Sequence, residues 1–165
     1  MSPTPLTRRP LDLVLVAFFA LNFFFITYMI DIEQIVIPDP SRFSYPFWPP
    51  RFAVDAIHWW SSVHDPLVWA RPPWYRATIW VDALLFGPFY LAAMVALVRE
   101  KAWIRTPALV WAGMMIAIVF TICFEEIAGP HATPHPVTVL GANAPWLALP
   151  LVVIWRFRAE RPFGR

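Results

Sequence analysis

Charged residues are scarce in this chain of 165 residues, since Asp, Glu, Lys and Arg make up only 15% of it. A soluble domain carries about 25% charged and about 45–50% apolar residues, whereas this chain is 59% apolar. Such a surplus cannot all be buried in a small soluble core, so the composition indicates a membrane protein. The net charge is only +2 and the arginines are scattered, which excludes a nucleic-acid-binding surface.

Cysteine and the common catalytic motifs are also scarce. The single cysteine, Cys123, lies in an apolar run and cannot form an internal disulfide. No GxSxG, P-loop, HExxH or CxxC motif occurs in the sequence. His131 and His135 lie four residues apart, but the prolines around them prevent a helix that would place both rings on one face. We therefore expect neither a metal nor a cofactor.

Long apolar runs are what the sequence has in abundance. A helix that spans a bilayer needs about 20 apolar residues, and these runs are too continuous for the strands of a membrane barrel. We predict an all-α membrane protein with four transmembrane helices in a single domain over residues 1–165, at about 11–31, 76–98, 105–125 and 137–156. Prolines at 88, 145 and 150 are expected to kink the second and fourth helices, which leaves room for an internal apolar cavity.

The distribution of cations predicts the orientation. Nine Lys and Arg residues lie on the side of both termini and four on the other side, so we expect both termini in the cytoplasm and the loop 32–75 outside it. In this loop, residues 38–50 are rich in proline, and residues 51–66 suit a short Trp-rich helix. Lys101 is the only lysine among the 13 cations. That arginine bias is typical of a GC-rich genome and favours a bacterial inner membrane.

Acidic residues at the ends of the apolar runs require an explanation. An ionised group near the centre of a span costs about 2.5–3.5 kcal/mol or more, so we expect Asp82 to have a function. Asp31 ends the first span and Glu125 the third, which predicts an acidic vestibule above an apolar cavity. Such a cavity suits a hydrophobic molecule that carries an amine or hydroxyl group. The alternative is that acids pair with loop arginines, and we expect this of Glu33, Asp39, Asp55 and Glu126.

Several short motifs resemble the EXPERA family of membrane proteins over about residues 10–157. Three of them resemble its sigma-2 receptor branch more closely: ITYMID (26–31), HDPLVWARPPWYRA (64–77) and WIRTPA (103–108). Two resemble its sterol-isomerase branch, the emopamil-binding protein: FGPF (86–89), preceded by Asp82, and NAPWLALP (143–150). FEE (124–126) resembles the acidic end of the third helix in the family.

The resemblance implies a bundle of four or five helices around a cavity that is accessible from the lipid. In the receptor branch, two acids that match Asp31 and Asp65 hold a cationic amine, and an acid that matches Asp82 lies in the same cavity. In the isomerase branch, a His and a Glu of the first helix, with an acid that matches Asp82 and a Trp that matches Trp146, move a sterol double bond through a cationic intermediate. The positions of that His and Glu are Phe23 and Thr27 here, and neither side chain is an acid. We therefore expect a binding protein before an enzyme.

The predicted function is binding of a sterol-like, isoprenoid or other amphiphilic lipid, or of a hydrophobic amine, in an acid-lined cavity within the membrane. Asp31 and Asp65 are expected to share a proton that a cationic amine displaces. The predicted ligand-binding residues are Thr27, Tyr28, Asp31, Asp65, Asp82, Phe89, Tyr90, Thr121, Glu125, Asn143 and Trp146. One alternative is a double-bond isomerase that uses Asp82, Asp31 and Glu125. Another alternative is an accessory subunit of a larger membrane complex. Assembly of the chain into a homodimer is a further alternative.

Overall fold

The computed structural model describes residues 4–164, which are helical except for short connections and one long loop. Its six helices are α1 (Pro10–Val36), α2 (Arg51–Val63), α3 (Pro66–Ala70), α4 (Pro73–Val98), α5 (Arg105–Ala128) and α6 (Pro136–Phe157). The four longest, α1, α4, α5 and α6, are long and apolar enough to cross a membrane. The prediction of an all-α, four-helix membrane protein is therefore confirmed.

Proline marks the beginning of four of these helices, namely α1, α3, α4 and α6. Proline suits the first turn because the N–H that it lacks would have no partner inside the helix, and its φ angle is already helical. In α6, Pro145 and Pro150 lie inside the helix, as the sequence requires. Residues 37–50, which include the proline-rich stretch, form no helix.

Two stretches of π-helix interrupt the membrane-spanning helices at the level of the acids. One is Asn22–Asp31 in α1, and the other is Asp82–Phe86 in α4. The second lies directly before Pro88, whose ring would clash with the carbonyl group four residues earlier in a regular α-helix. The two π-helical segments pack against each other, so their widened turns bring Asp31 and Asp82 to one place. Such segments are frequent at functional sites.

An aromatic cluster forms the core of the bundle between α1, α4 and α5. Trp111 is at its centre, with its ring centroid 5.4 Å from that of Phe89 in a stacked arrangement and 5.3 Å from that of Phe19 in an edge-on one. Tyr90 stacks on Phe19 at 5.8 Å. Offset-stacked and edge-on pairs at these distances add to the stabilisation that burial itself provides.

A buried ion pair network joins the helix ends on the side of the termini. Asp12 accepts hydrogen bonds from Arg9 at 2.7 Å and from Arg156 at 2.7 and 3.1 Å. Arg9 also donates to the carbonyl of Leu97, at the end of α4. The sequence analysis did not single out Asp12, although it is the one acid at the start of the first apolar run. This network connects α1, α4 and α6.

Gly87 lies against the ring of Tyr28, which allows a first stability prediction. A Cβ atom at Gly87 would lie 2.8 Å from Tyr28 Cζ, and the ring is fixed because Tyr28 Oη donates to the carbonyl of Ala83 at 3.0 Å. We expect Gly87→Ala to lower the free energy of unfolding by about 1–3 kcal/mol, as overpacking does. Titration of the purified protein with a denaturing detergent measures this.

Gly113→Ala is the matched control, because a Cβ atom at Gly113 meets nothing within 4 Å. We expect no loss of stability there, since alanine is also the better helix former. Equal destabilisation by the two substitutions would contradict the packing of Tyr28 on Gly87.

Candidate ligand-binding site

A cavity of about 250 Å³ lies between the spanning helices and α2. Most of its wall is apolar, with Ile26 from α1, Ile79 and Phe86 from α4, and Met115 and Val119 from α5 among the lining side chains. Five of the predicted ligand-binding residues also line it: Asp31, Asp65, Asp82, Asn143 and Trp146. An apolar cavity with a few convergent polar groups is the usual form of a small-molecule site.

Asp31 and Asp82 form the acidic centre of this cavity. They end and begin the two π-helical segments, and their carboxyl groups are close enough to interact directly. Tyr90 Oη donates to Asp82 Oδ1 at 3.2 Å. Asp82 Oδ2 is buried and has no well-aligned hydrogen bond among residues 4–164, although Thr27 and Asp31 approach this carboxyl group. A buried carboxylate oxygen without a partner is uncommon in proteins and indicates a missing ligand, proton or water.

Asp65 reaches the cavity from the loop rather than from a spanning helix. Its side chain caps α3, with Oδ1 accepting from the Val68 N–H at 3.1 Å, and it also interacts with Trp60. Burial raises the pKa of the Asp65 carboxyl, and the hydrogen bonds from Val68 and Trp60 only partly oppose that shift. Asp65 is therefore a buried acid whose proton is retained to a higher pH than that of an exposed aspartate.

Two polar side chains of α6 complete the wall. Trp146 Nε1 donates to Asn22 Oδ1 at 2.8 Å, and Asn22 Nδ2 donates in turn to the carbonyl of Phe18. Asn143 Nδ2 lies 3.3 and 3.4 Å from the two carboxylate oxygens of Glu126. These contacts fix the orientation of the indole and the amide that face the cavity.

Four predicted residues lie behind the cavity wall and do not line it. Phe89 and Tyr90 belong to the aromatic core, and Tyr28 packs on Gly87. Thr27 is fully buried, and its hydroxyl approaches the Asp82 carboxyl without a well-aligned hydrogen bond. Of these, Tyr90 and Thr27 touch the acidic centre, whereas Phe89 and Tyr28 support the helices that carry it.

The other two predicted residues point away from the cavity. Thr121 is exposed on α5, and its hydroxyl donates to the carbonyl of Ala117 within the same helix. Glu125 lies at the end of α5, where it accepts from the backbone N–H of His131 at 3.1 Å and contacts the imidazole at 2.7 Å. The apolar periodicity of α5 is too weak to distinguish its cavity face from its lipid face, so the sequence could not separate these positions.

Among the cavity residues that the sequence analysis missed, three have a side-chain hydrogen-bonding group: Trp60, Tyr75 and Thr78. Tyr75 and Thr78 lie seven and four residues before Asp82, so they share its face of α4. This helical spacing could have identified them once Asp82 was chosen. Trp60 comes from α2, whose position over the cavity depends on tertiary contacts that the sequence does not reveal.

Those contacts centre on a buried ion pair between α1 and the residue that ends α3. Arg71 donates to both carboxylate oxygens of Glu33, at 2.9 and 3.2 Å, and also to the carbonyl of Ile37. His58 of α2 contacts the same carboxylate at 2.8 Å. The prediction that Glu33 pairs with a loop arginine is confirmed. Asp55 likewise pairs with Arg51, although at the exposed surface. For Glu126 the prediction is wrong, since among residues 4–164 its carboxylate contacts Asn143 and forms no ion pair with an arginine.

The sequence profile of the EXPERA family, the EXPanded EBP superfamily, matches residues 52–157. The chain belongs to the EXPERA family. The matched region begins in α2 and ends with α6, so it includes Asp65, Asp82, Asn143 and Trp146 but leaves Asp31 outside.

Full-length relatives within the family extend the match over most of the chain. Sigma intracellular receptor 2 of Xenopus tropicalis is 29% identical over 140 residues, which cover 78% of this chain and 77% of that protein. The proteins of the same name from Macaca fascicularis and Homo sapiens are each 26% identical over 164 residues, or 91% of this chain and 88% of theirs. The resemblance to the sigma-2 receptor branch is confirmed.

The Glu33–Arg71 pair gives the second prediction. Both side chains are fully buried, so Arg71→Gln leaves an unpaired carboxylate and should lower the free energy of unfolding by about 3–5 kcal/mol. Titration with a denaturing detergent measures the effect. The matched control is Arg51→Gln, which removes an exposed partner of Asp55. It should change the free energy of unfolding by less than about 1 kcal/mol. If both variants unfolded alike, Arg71 would not hold the loop.

Proposed function

We propose that this EXPERA-family chain binds one amphiphilic molecule, with its polar end at Asp31 and Asp82 and its apolar body between α1, α4 and α5. The proposed chemical class is a sterol-like or isoprenoid lipid, or a hydrophobic amine. The observation that carries the proposal is a mostly apolar cavity whose wall brings Asp31, Asp65 and Asp82 together, with Asp82 Oδ2 buried and lacking a well-aligned hydrogen bond. A ligand amine or hydroxyl group would supply the missing hydrogen.

Charge supports a cationic or proton-donating ligand. Two carboxyl groups in contact in a low-dielectric site cannot both be ionised at low cost, so the Asp31–Asp82 pair holds a proton or a cation. Asp65 adds a third acid to the same wall. The cavity volume of about 250 Å³ is near the lower end of the range for small-molecule sites, roughly 300–1,000 Å³. It therefore suits a compact amphiphile or the polar end of a larger lipid.

The orientation belongs to the same proposal. The nine cations on the side of the termini, three of them at the connection between α4 and α5, favour a cytoplasmic location for both ends, which places Asp31, Asp65 and the loop 32–75 on the opposite side. The relatives described above are from vertebrates, and the bacterial inner membrane stays a prediction from the arginine bias alone. A homodimer or membership of a larger membrane complex likewise stays a prediction.

Isomerisation of a double bond is the second candidate function, favoured by the contact between Asp31 and Asp82. One of these carboxyl groups could donate a proton to an alkene while the other accepts one from the neighbouring carbon. Phe23 packs edge-on against Tyr28 and Thr27 has a hydroxyl only, so neither replaces the His and Glu of the isomerase branch. If the protein is an isomerase, Asp82→Asn abolishes turnover of an isoprenoid substrate. If it only binds a ligand, Asp82→Asn weakens binding.

The third prediction concerns what the protein carries when it is purified in mild detergent. We expect mass spectrometry to find one stoichiometric amphiphile, and we expect Asp31→Asn/Asp65→Asn to lose most of it because two cavity carboxyl groups become amides. Asp55→Asn is the matched control, since Asp55 is an exposed acid of the same loop.

The outcomes of this experiment separate the candidates. Equal lipid content in all three proteins would overturn the proposed cavity site. A fixed set of protein partners without a specific lipid, retained by the double variant, would instead identify an accessory subunit of a membrane complex.

The fourth prediction is a pH dependence that Asp65 contributes. Its pKa is raised by burial, so the carboxyl becomes neutral as pH falls through a value above the about 3.9 of a free aspartate. A neutral Asp65 attracts a cation less, so affinity for a permanently charged alkyltrimethylammonium probe should decrease as the pH is lowered. Titration calorimetry in nanodiscs measures this, and Asp65→Asn should remove that part of the profile. An unchanged profile in the variant would exclude Asp65 from the site.

A further inference from the structure

The loop segment of residues 43–63 carries large apolar side chains that the rest of the described chain leaves uncovered. Phe47 is 101% exposed, Phe52 68% and Trp59 59%. Several large apolar side chains exposed on one segment of a protein surface mark an interaction site. The segment is not part of any of the four spanning helices.

The helix in this segment, α2, is apolar on two opposite faces. Its inner face is buried through Ala53, Val54 and Ile57. Its outer face shows Phe52, Ala56, Trp59 and Val63, which follow the i, i+4, i+7, i+11 spacing of one helical stripe and are all exposed. A surface helix in water would place polar residues on that outer stripe, so the pattern indicates an apolar surrounding on this side.

A hydrogen bond fixes the depth of the segment relative to α1. Trp48 Nε1 donates to the carbonyl of Tyr28 at 2.5 Å. About 20 helical residues cross the hydrocarbon core of a bilayer. If the crossing of α1 begins at the charged Asp12, it ends at about Asp31. Tyr28 lies before that point. It also lies eight residues before Val36, the end of α1, which is roughly 12 Å along the helix axis. Trp48 therefore lies below the edge of the hydrocarbon core.

The part of the segment around Trp48 has no charged side chains, as its depth in the membrane requires. Residues 43–50, FSYPFWPP, carry no charged side chain, and three of the eight are prolines. Proline has no backbone N–H group, so it adds no donor that would lack a hydrogen-bond partner in lipid. Charges occur just after them, where Tyr45 Oη donates to Asp55 at 2.6 Å and the Arg51 guanidinium lies 4.5 Å above the Tyr45 ring. This polar cluster suits the level of the lipid headgroups.

We propose that residues 43–63 form a lipid wedge in the leaflet opposite the termini, whose apolar side chains are inserted among the phospholipid acyl chains while Arg51 and Asp55 lie at the level of the headgroups. Its outer face, Phe47, Phe52 and Trp59, contacts the chains. Its inner face supplies Trp60 to the cavity. One helix thus separates the bilayer from the candidate site. The wedge does not depend on the proposed function and holds whether or not the cavity binds a ligand.

Spin labels in phosphatidylcholine nanodiscs test the wedge. Single cysteines are introduced by Phe47→Cys or Trp59→Cys in the Cys123→Ala background and labelled with a nitroxide. Phe120→Cys on α5 is the lipid-facing reference, and Ser41→Cys, exposed before the segment, is the water-facing one. We expect labels at 47 and 59 to collide with oxygen several-fold more than with a water-soluble nickel chelate, as at 120 and opposite to 41.

Two outcomes would overturn the wedge. Labels at 47 and 59 that behave like the one at 41 would place the segment in water. Labels shielded from both reagents, with spin–spin broadening, would show that a second copy covers the face. Phosphatidylcholine with a photoreactive acyl chain provides a second measurement on the unsubstituted protein. Cross-links mapped to residues 43–63 support the wedge, and cross-links confined to the spanning helices contradict it.

Discussion

The buried pair of Glu33 and Arg71 is the interaction on which the architecture of the site depends. Four spanning helices alone supply only part of the cavity wall, since Asp65 and Trp60 come from the connection between α1 and α4. That connection is held where Arg71 meets Glu33 with both side chains out of contact with solvent. Breaking one partner of such a pair is costly, so the pair opposes displacement of the loop from the cavity.

Once the loop is in place, the acids acquire a common environment. Asp31 and Asp82 meet because π-helical turns widen α1 and α4 at the same level, and Asp65 joins them as the cap of α3. Each acid is thus held by backbone geometry that a regular α-helix would not provide. The protein tolerates this concentration of carboxyl groups in an apolar cavity, which is an arrangement that function explains better than stability does.

The fold was predictable from the sequence because length and hydropathy decide where a chain crosses a bilayer. Asp31, Asp65, Asp82, Asn143 and Trp146 were also predictable, since polar residues at span ends and family motifs mark them. Thr121 and Glu125 were placed less well, because α5 is apolar all round and its rotation is set by packing. The π-helical segments, and α2 over the cavity, arise from tertiary contacts that no local pattern encodes.

The ion pair network around Asp12, at the end of the bundle near the termini, restricts how the helices can move. Asp12 joins Arg9 and Arg156, and Arg9 also holds the end of α4, so three spanning helices are tied at the level of the termini. The cavity lies toward the opposite end, where its wall is assembled from separate pieces of loop and helix. The Asp12 contacts therefore oppose separation of α1, α4 and α6 at the termini, whereas at the cavity end the Glu33–Arg71 pair opposes displacement of α2 and α3.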